Sequence, residues 1–153
     1  MVVKKKIDKT DRITKNIIFV LLIFIFIGML GFFVYHQIVE HFAMSDPKLR
    51  EIKEHIAPLH PELVETLYFY EGDKSYTINK QKIYLCLKDE NSQYYDFNML
   101  VYVAIHELAH VKCPEIGHTE LFYQIFDKLL KKATQMNIYD PNKPIIKNYC
   151  GHT

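Results

Sequence analysis

Residues Ile17–Tyr35 read IIFVLLIFIFIGMLGFFVY, nineteen residues without a charge. As a helix this run spans about 28 Å, close to the hydrocarbon thickness of a bilayer. A core helix is a poor alternative, because a chain of 153 residues could hardly cover it on every side. A cleaved signal peptide would have a shorter apolar region followed by a small-x-small pair. Here His36, Gln37, Ile38, Val39 and Glu40 follow instead. The run therefore predicts an uncleaved transmembrane helix over residues 16–36, with 17–35 in the membrane. Residues 1–15 carry six Lys/Arg against two Asp. Beyond the span, Lys48, Arg50 and Lys53 are the only cations within about 20 residues. The imbalance predicts a cytoplasmic N-terminus, a lumenal or exterior C-terminal domain, a short stalk over 37–45 and a domain over 46–153.

That domain is close to neutral, with thirteen Lys/Arg against fifteen Asp/Glu. Such a balance gives no basic surface for nucleic acid, so none is expected as a partner. Its centre is Val103–His118, VAIHELAHVKCPEIGH, which contains His106-Glu107-Leu108-Ala109-His110. Residues i and i+4 lie one turn apart on one helix face, so two imidazoles so spaced can chelate one zinc ion. The glutamate beside the first can activate a metal-bound water. Random order alone would produce this five-residue pattern in roughly 3% of such chains, so its surroundings must carry weight too. They do: Val103, Ala104, Ile105, Leu108, Ala109 and Val111 suit a buried helix. Pro114 cannot continue that helix, and Gly117 permits a turn with positive φ. The chain can then return with His118 as third ligand; Glu115 and Glu120, on either side, are the alternatives.

Local signals lay out the rest. Asp46 (or Ser45) and Pro47 open a helix with Leu49, Ile52 and Ile56 on its apolar face, ended by Pro58. Leu63–Tyr70 includes a short strand, and Glu71-Gly72-Asp73 is a turn. Ser75–Ile78 and Lys82–Leu87 read as strands around Asn79-Lys80-Gln81. Lys82–Leu87 is either an ordinary internal strand or an edge against which a substrate could pair. Asp96 can cap the motif helix over about Phe97–Lys112, and Thr119 another running to about Met136. In the latter, Leu121, Phe122, Ile125, Phe126, Leu129, Leu130 and Ala133 follow a 3.6-residue period and make a core stripe.

Three neutral imidazoles leave zinc one open position, the arrangement of a catalytic rather than a structural site. Glu107 would take a proton from water and pass it to a leaving amine. The expected activity is zinc-dependent hydrolysis of a peptide bond in a protein or peptide substrate. The alternative is a non-catalytic, membrane-anchored binding or structural protein that zinc stabilises, with Cys113 as a conceivable fourth ligand. His36, His41, His55 and His60 read as surface residues. Tyr149 or His152 could reach the site and stabilise an oxyanion, or could belong to a packed or frayed tail. On the lumenal side disulfides become possible, and Cys113 with Cys150 is the pair to test.

The stretch HELAHVKCPEIGHTELF resembles the zinc-binding signature of WLM and SprT-type metalloproteases. In these, H-E-x-x-H is followed at variable distance by a third His and an acidic-aromatic helix start. His106, His110 and His118 match the ligands, Glu107 the catalytic acid/base, and Glu120 and Phe122 the start of the following helix. The chain also resembles small membrane-anchored metallopeptidase-like proteins of large DNA viruses, which implies a virion or host membrane. The resemblance covers roughly residues 46–153. It implies an α+β fold, a minimal zincin-like metalloprotease domain behind one N-terminal transmembrane helix. Metzincins do not fit, because their third His falls six residues after the second and here the gap is eight. WLM and SprT relatives act on proteins crosslinked to DNA, which gives a third reading, a DNA-associated protease tethered to a membrane.

Overall fold

The computed structural model describes residues 2–42 and 45–151. The chain divides into two units, Met1–Glu40 and His41–Thr153. The first lies within one long helix, α1, Val2–Phe42. Its stretch Arg12–Ile38 is long and apolar enough to cross a membrane, and none of its most apolar window is buried. A signal sequence near an N-terminus would have the same character. The helix runs past Tyr35, so the segment read as a stalk is helical as far as Phe42.

The second unit mixes helices with a small sheet. Helix α2, Pro47–Ile56, starts at Asp46, whose carboxylate accepts the Lys48 N–H at 2.8 Å. The same carboxylate accepts from Lys88 Nζ at 2.9 Å and Tyr94 Oη at 2.8 Å. One side chain thus caps a helix and pins it to the loop that follows the sheet. A 3-10 turn, Ala57–Leu59, and a short helix α3, Pro61–Glu65, lead to strand β1, Tyr68–Glu71. Strands β2, Tyr76–Ile78, and β3, Lys82–Leu85, form a hairpin. Asn79 (φ 50°) and Lys80 (φ 54°) take left-handed conformations at its turn, and the Gln81 N–H donates to Ile78 O at 3.1 Å. Asn is among the residues that tolerate this region best.

The sheet order is β1-β3-β2, with β1 parallel and β2 antiparallel to β3. Of the two readings of Lys82–Leu87, the internal strand is the one observed. β3 stops at Leu85 and is central, so β2 is the edge beside the motif helix. Alternation along the strands points Phe69, Ile83 and Leu85 inward, each fully buried. Tyr70, Tyr84 and Tyr76 stack across the opposite face, with centroids 5.0 and 4.7 Å apart.

Helix α4, Phe97–Lys112, is the motif helix and crosses this core. Asp96 caps it by accepting from the Asn98 N–H at 2.9 Å. Leu100, Ala104, Ile105 and Leu108 are fully buried, as are Leu49, Ile52 and Ile56 of α2. Burying a side chain of this size stabilises by about 1.5–3 kcal/mol, so these contacts fix where α4 lies. Helix α5, Glu120–Gln135, starts at Thr119, which accepts from the Phe122 N–H at 3.3 Å, and packs Phe122, Phe126, Leu129 and Ala133 inward.

The tail is tied down at several points. Asn98 on α4 holds Asp140 by accepting from its N–H at 2.8 Å and donating to its carbonyl at 3.0 Å. His55, read as a surface residue, is half-buried, with Nε2 2.9 Å from Ile138 O and its ring against Phe97. A disulfide joins Cys86 to Cys150, with Cα atoms 6.4 Å apart, and Cys113 is free and buried. The expected Cys113–Cys150 pair is therefore wrong. Cys113 forms the C-cap of α4 and is fully enclosed in the core, whereas Cys86 leaves the sheet where the tail returns.

Candidate functional site

His106 and His110 project from one face of α4, as their i, i+4 spacing requires. After Cys113 the helix stops, and Pro114–Gly117 carry the chain round in an exposed loop. Gly117 has φ +85°, a conformation that costs other residues dearly, and nothing lies within 4 Å of a Cβ built on it. Backbone freedom rather than crowding explains the glycine. His118 follows and faces the other two rings. Its Nε2 lies 3.0 Å from His106 Nε2 and 3.1 Å from His110 Nε2.

The three residues form a group able to hold a metal ion, their donor atoms all within 4.8 Å of one another. Around tetrahedral zinc, with bonds of about 2.0–2.1 Å, ligand nitrogens stand about 3.3 Å apart. The two separations to His118 come within a few tenths of an ångström of that. Burial and the neighbouring His110 and His118 push the His106 pKa down to about 4. Burial, then His118, lowers that of His110 as well. Neutral imidazole is the ligating form, so the chemistry of the donor set fits a zinc ion.

Phe122, on the first turn of α5 and fully buried, supports all three rings. It stacks on His110 at 4.2 Å and meets His106 and His118 edge-on, both at 4.9 Å. Phe126 meets His106 at 5.2 Å. The rings are thus oriented by aromatic packing from α5, which explains why the helix must start immediately after His118.

Glu107 lies about 100° round the same turn from His106 and is 4% exposed. Burial pushes its pKa up to about 7, against a hydrogen bond from Thr77 that lowers it. Thr77, on edge strand β2, donates through Oγ1 to Glu107 Oε2 at 2.8 Å. Sequence reasoning passed over Thr77. The available signal was alternation, which puts this one hydroxyl on the inward side while Tyr76 and Ile78 point outward.

The other candidates among the described residues are not members of the histidine group. Glu115 is exposed, and Glu120 accepts from Gln124 on α5 at 3.4 Å; neither belongs to the histidine group. Cys113 is buried in the core and is not a member either. Tyr149 is 7% exposed and donates to the Cys86 carbonyl, with Ser75 Oγ at 3.2 Å, so it belongs to the packed tail. Burial pushes its pKa up to about 12, partly offset by Ser75 and reinforced by Tyr95 and Glu107. His152 lies outside the described residues, as do the side chain of His41 and residues 43 and 44.

Known proteins bear on this arrangement in two ways. The sequence is 53% identical over 83 residues to uncharacterized protein 136R of Invertebrate iridescent virus 6, covering 52% of this chain and 47% of that one. It is 46% identical over 101 residues to uncharacterized protein 042R of Invertebrate iridescent virus 3, covering 63% and 64%. The chain thus spans between about half and just under two thirds of the length of these curated relatives. No protein-family model matches it. Among solved structures it is similar to Wss1 from Saccharomyces cerevisiae, with a TM-score of 0.50 and 22% identity, over 59% of this chain and 79% of that one. At that identity the likeness is one of fold, and the fold it gives the second unit is WLM-like.

Proposed function

We propose that the chain is a membrane-anchored, zinc-dependent peptidase in which His106, His110 and His118 hold the metal and Glu107 is the general base. The observation that carries this reading is Glu107 itself. A buried carboxylate one residue from a converging histidine triad costs stability and serves no structural site, whereas hydrolysis requires such a group. A zinc ion held by the three imidazoles would supply a Lewis acid for the scissile carbonyl and an attacking water acidic near neutral pH. The chain's own residues do the rest. Glu107 accepts the proton of the attacking water and returns it to the departing amine. Phe122 keeps the imidazoles in their ligating orientation. The free edge of β2 runs beside the site, with Tyr76 41% and Ile78 39% exposed, and offers backbone groups to an extended peptide. The anchor is the apolar run 17–35, with the domain from residue 46 on the far side from a cytoplasmic N-terminus.

Support comes from the donor geometry and the WLM-like fold together. The near-neutral charge of residues 46–153 favours a protein or peptide substrate over nucleic acid. The test is hydrolysis of an unstructured protein by full-length chain in detergent. Activity that disappears with a chelator and returns with stoichiometric zinc is the expected result. Zinc removal that unfolds the protein, with no turnover by the loaded form, would assign the metal a structural role instead.

A further inference from the structure

Glu107 has two carboxylate oxygens in different situations. Oε2 accepts the Thr77 hydroxyl at 2.8 Å. That hydroxyl also lies 3.3 Å from the Glu107 carbonyl, but it has one proton and the carboxylate contact is the shorter. Among the described residues no other donor reaches this carboxylate. None of their buried side-chain oxygens or nitrogens lacks a partner, so Oε1, which has none, must retain solvent-accessible surface. One oxygen is held by Thr77 and the other keeps accessible surface.

The element supplying the hydroxyl is itself held in place. β2 is hydrogen-bonded to β3 along one edge. At the far end of the hairpin Lys80 Nζ donates to the Cys113 carbonyl at the end of α4. At the near end Ser75 Oγ accepts the Cys86 N–H at 3.0 Å, beside the Cys86–Cys150 disulfide. Thr77 therefore reaches Glu107 from a strand fixed at both ends.

We infer that Thr77 is the positioning residue for Glu107, its hydroxyl holding Oε2 so that Oε1 faces the water to be activated. The inference rests on the peptidase reading of the site and adds to it the group that orients the base. Thr77 touches neither the metal ligands nor the scissile bond; it acts through Glu107 alone. Without the hydroxyl the carboxylate can rotate about its last side-chain bond and loses the fixed aim that efficient proton transfer needs.

Valine is the matched replacement, since it keeps the branched shape and strand preference of threonine and removes only the hydroxyl. In full-length, zinc-loaded protein at matched zinc content, Thr77→Val should lower kcat about tenfold, the size of one hydrogen bond to a charged group, with KM within about twofold. Thr77→Ser should restore most of kcat. In a Glu107→Gln background, Thr77→Val should add little further loss, because the two residues act as a unit. A second readout does not depend on turnover. A double-mutant cycle of thermal stability in metal-free protein, with Thr77→Val and Glu107→Leu, should show non-additivity between the two sites. An unchanged kcat in Thr77→Val, or a serine variant as impaired as the valine one, overturns the inference. So does strict additivity in the stability cycle. If the cycle shows coupling while wild-type protein has no chelator-sensitive hydrolysis, the peptidase reading fails and the Thr77–Glu107 contact stands without a catalytic role.

Discussion

Breaking the Cys86–Cys150 bridge should cost the second unit a large part of its stability. The bridge closes a loop with a sequence separation of 64, which takes in the motif helix, α5 and the tail. In the chain-entropy view a loop of this length removes about 14 cal/mol/K from the unfolded ensemble, or about 4 kcal/mol at 25 °C. For a domain of about 110 residues that corresponds to roughly 15 °C in Tm. The native side adds local terms. Tyr149 packs on Tyr95 with centroids 4.7 Å apart, and Tyr95 Oη meets the Cys150 N–H at 3.1 Å, so the tail has contacts that could hold it in part without the bridge. The assay is thermal denaturation of full-length protein, comparing wild type with a Cys86→Ser/Cys150→Ser double variant, each with zinc. Substitution is preferable to reductant because thiols and phosphines compete for the metal. Thiol counting after denaturation should find one free cysteine in the wild type, Cys113. A Tm drop below about 3 °C, or three free thiols in protein whose domain was translocated into an oxidising compartment, would refute the reasoning.

Three further outcomes follow from particular residues. Asp46→Ala should cost about 1 kcal/mol through the lost cap and further stability through Lys88 and Tyr94, while Asp46→Asn should keep the cap and lose less. Desolvation opposes the charge on Asp46, but the Lys48 N–H, Lys88 and Tyr94 outweigh it and hold its pKa below the ordinary 3.8. Its contribution is therefore complete above the unfolded value and fades as pH falls through the folded one, so wild-type and Asp46→Asn melting curves should converge in strong acid. His118→Ala should lose zinc and activity in metal analysis of dialysed protein, whereas Glu115→Ala and Glu120→Ala should retain both; zinc loss in a glutamate variant alone would displace His118 from the ligand set. Protease added to sealed vesicles carrying the protein in its biosynthetic orientation should spare residues 36–153, and digestion of that domain without detergent would reverse the assigned topology.

The elements that could be read from sequence are those with local signals. Asp96 and Pro114 bracket α4, and the helix found, Phe97–Lys112, has the bounds that they imply. Thr119 and the stripe from Phe122 to Ala133 did the same for α5. Gly117 marked the return of the chain before His118, and its φ of +85° is the conformation that argument needed. What escaped depends on contacts between distant segments. The parallel pairing of β1 with β3 has no turn to announce it, so nothing local distinguished a central Lys82–Leu85 from an edge. The disulfide partner of Cys150 depends on where the tail returns, and a sequence with three cysteines allows three pairings. Thr77 sits in a strand of three residues, too short for alternation to be persuasive before Glu107 is known to lie opposite. His106 and His110 showed themselves by spacing along one helix; the group that holds the carboxylate comes from another element and is visible only in the fold.

Replacing Glu107 tests the chemistry of the site most directly. Full-length Glu107→Gln should bind zinc stoichiometrically and melt at or above the wild-type temperature, since an amide fits the same space without a buried charge. Its hydrolysis of an unstructured protein, measured at matched zinc content, should fall by about 10²–10⁴-fold, the range for removal of a general acid–base. Turnover equal to wild type at equal zinc would contradict the role assigned to this carboxylate and, with it, the reading of the site as a peptidase centre.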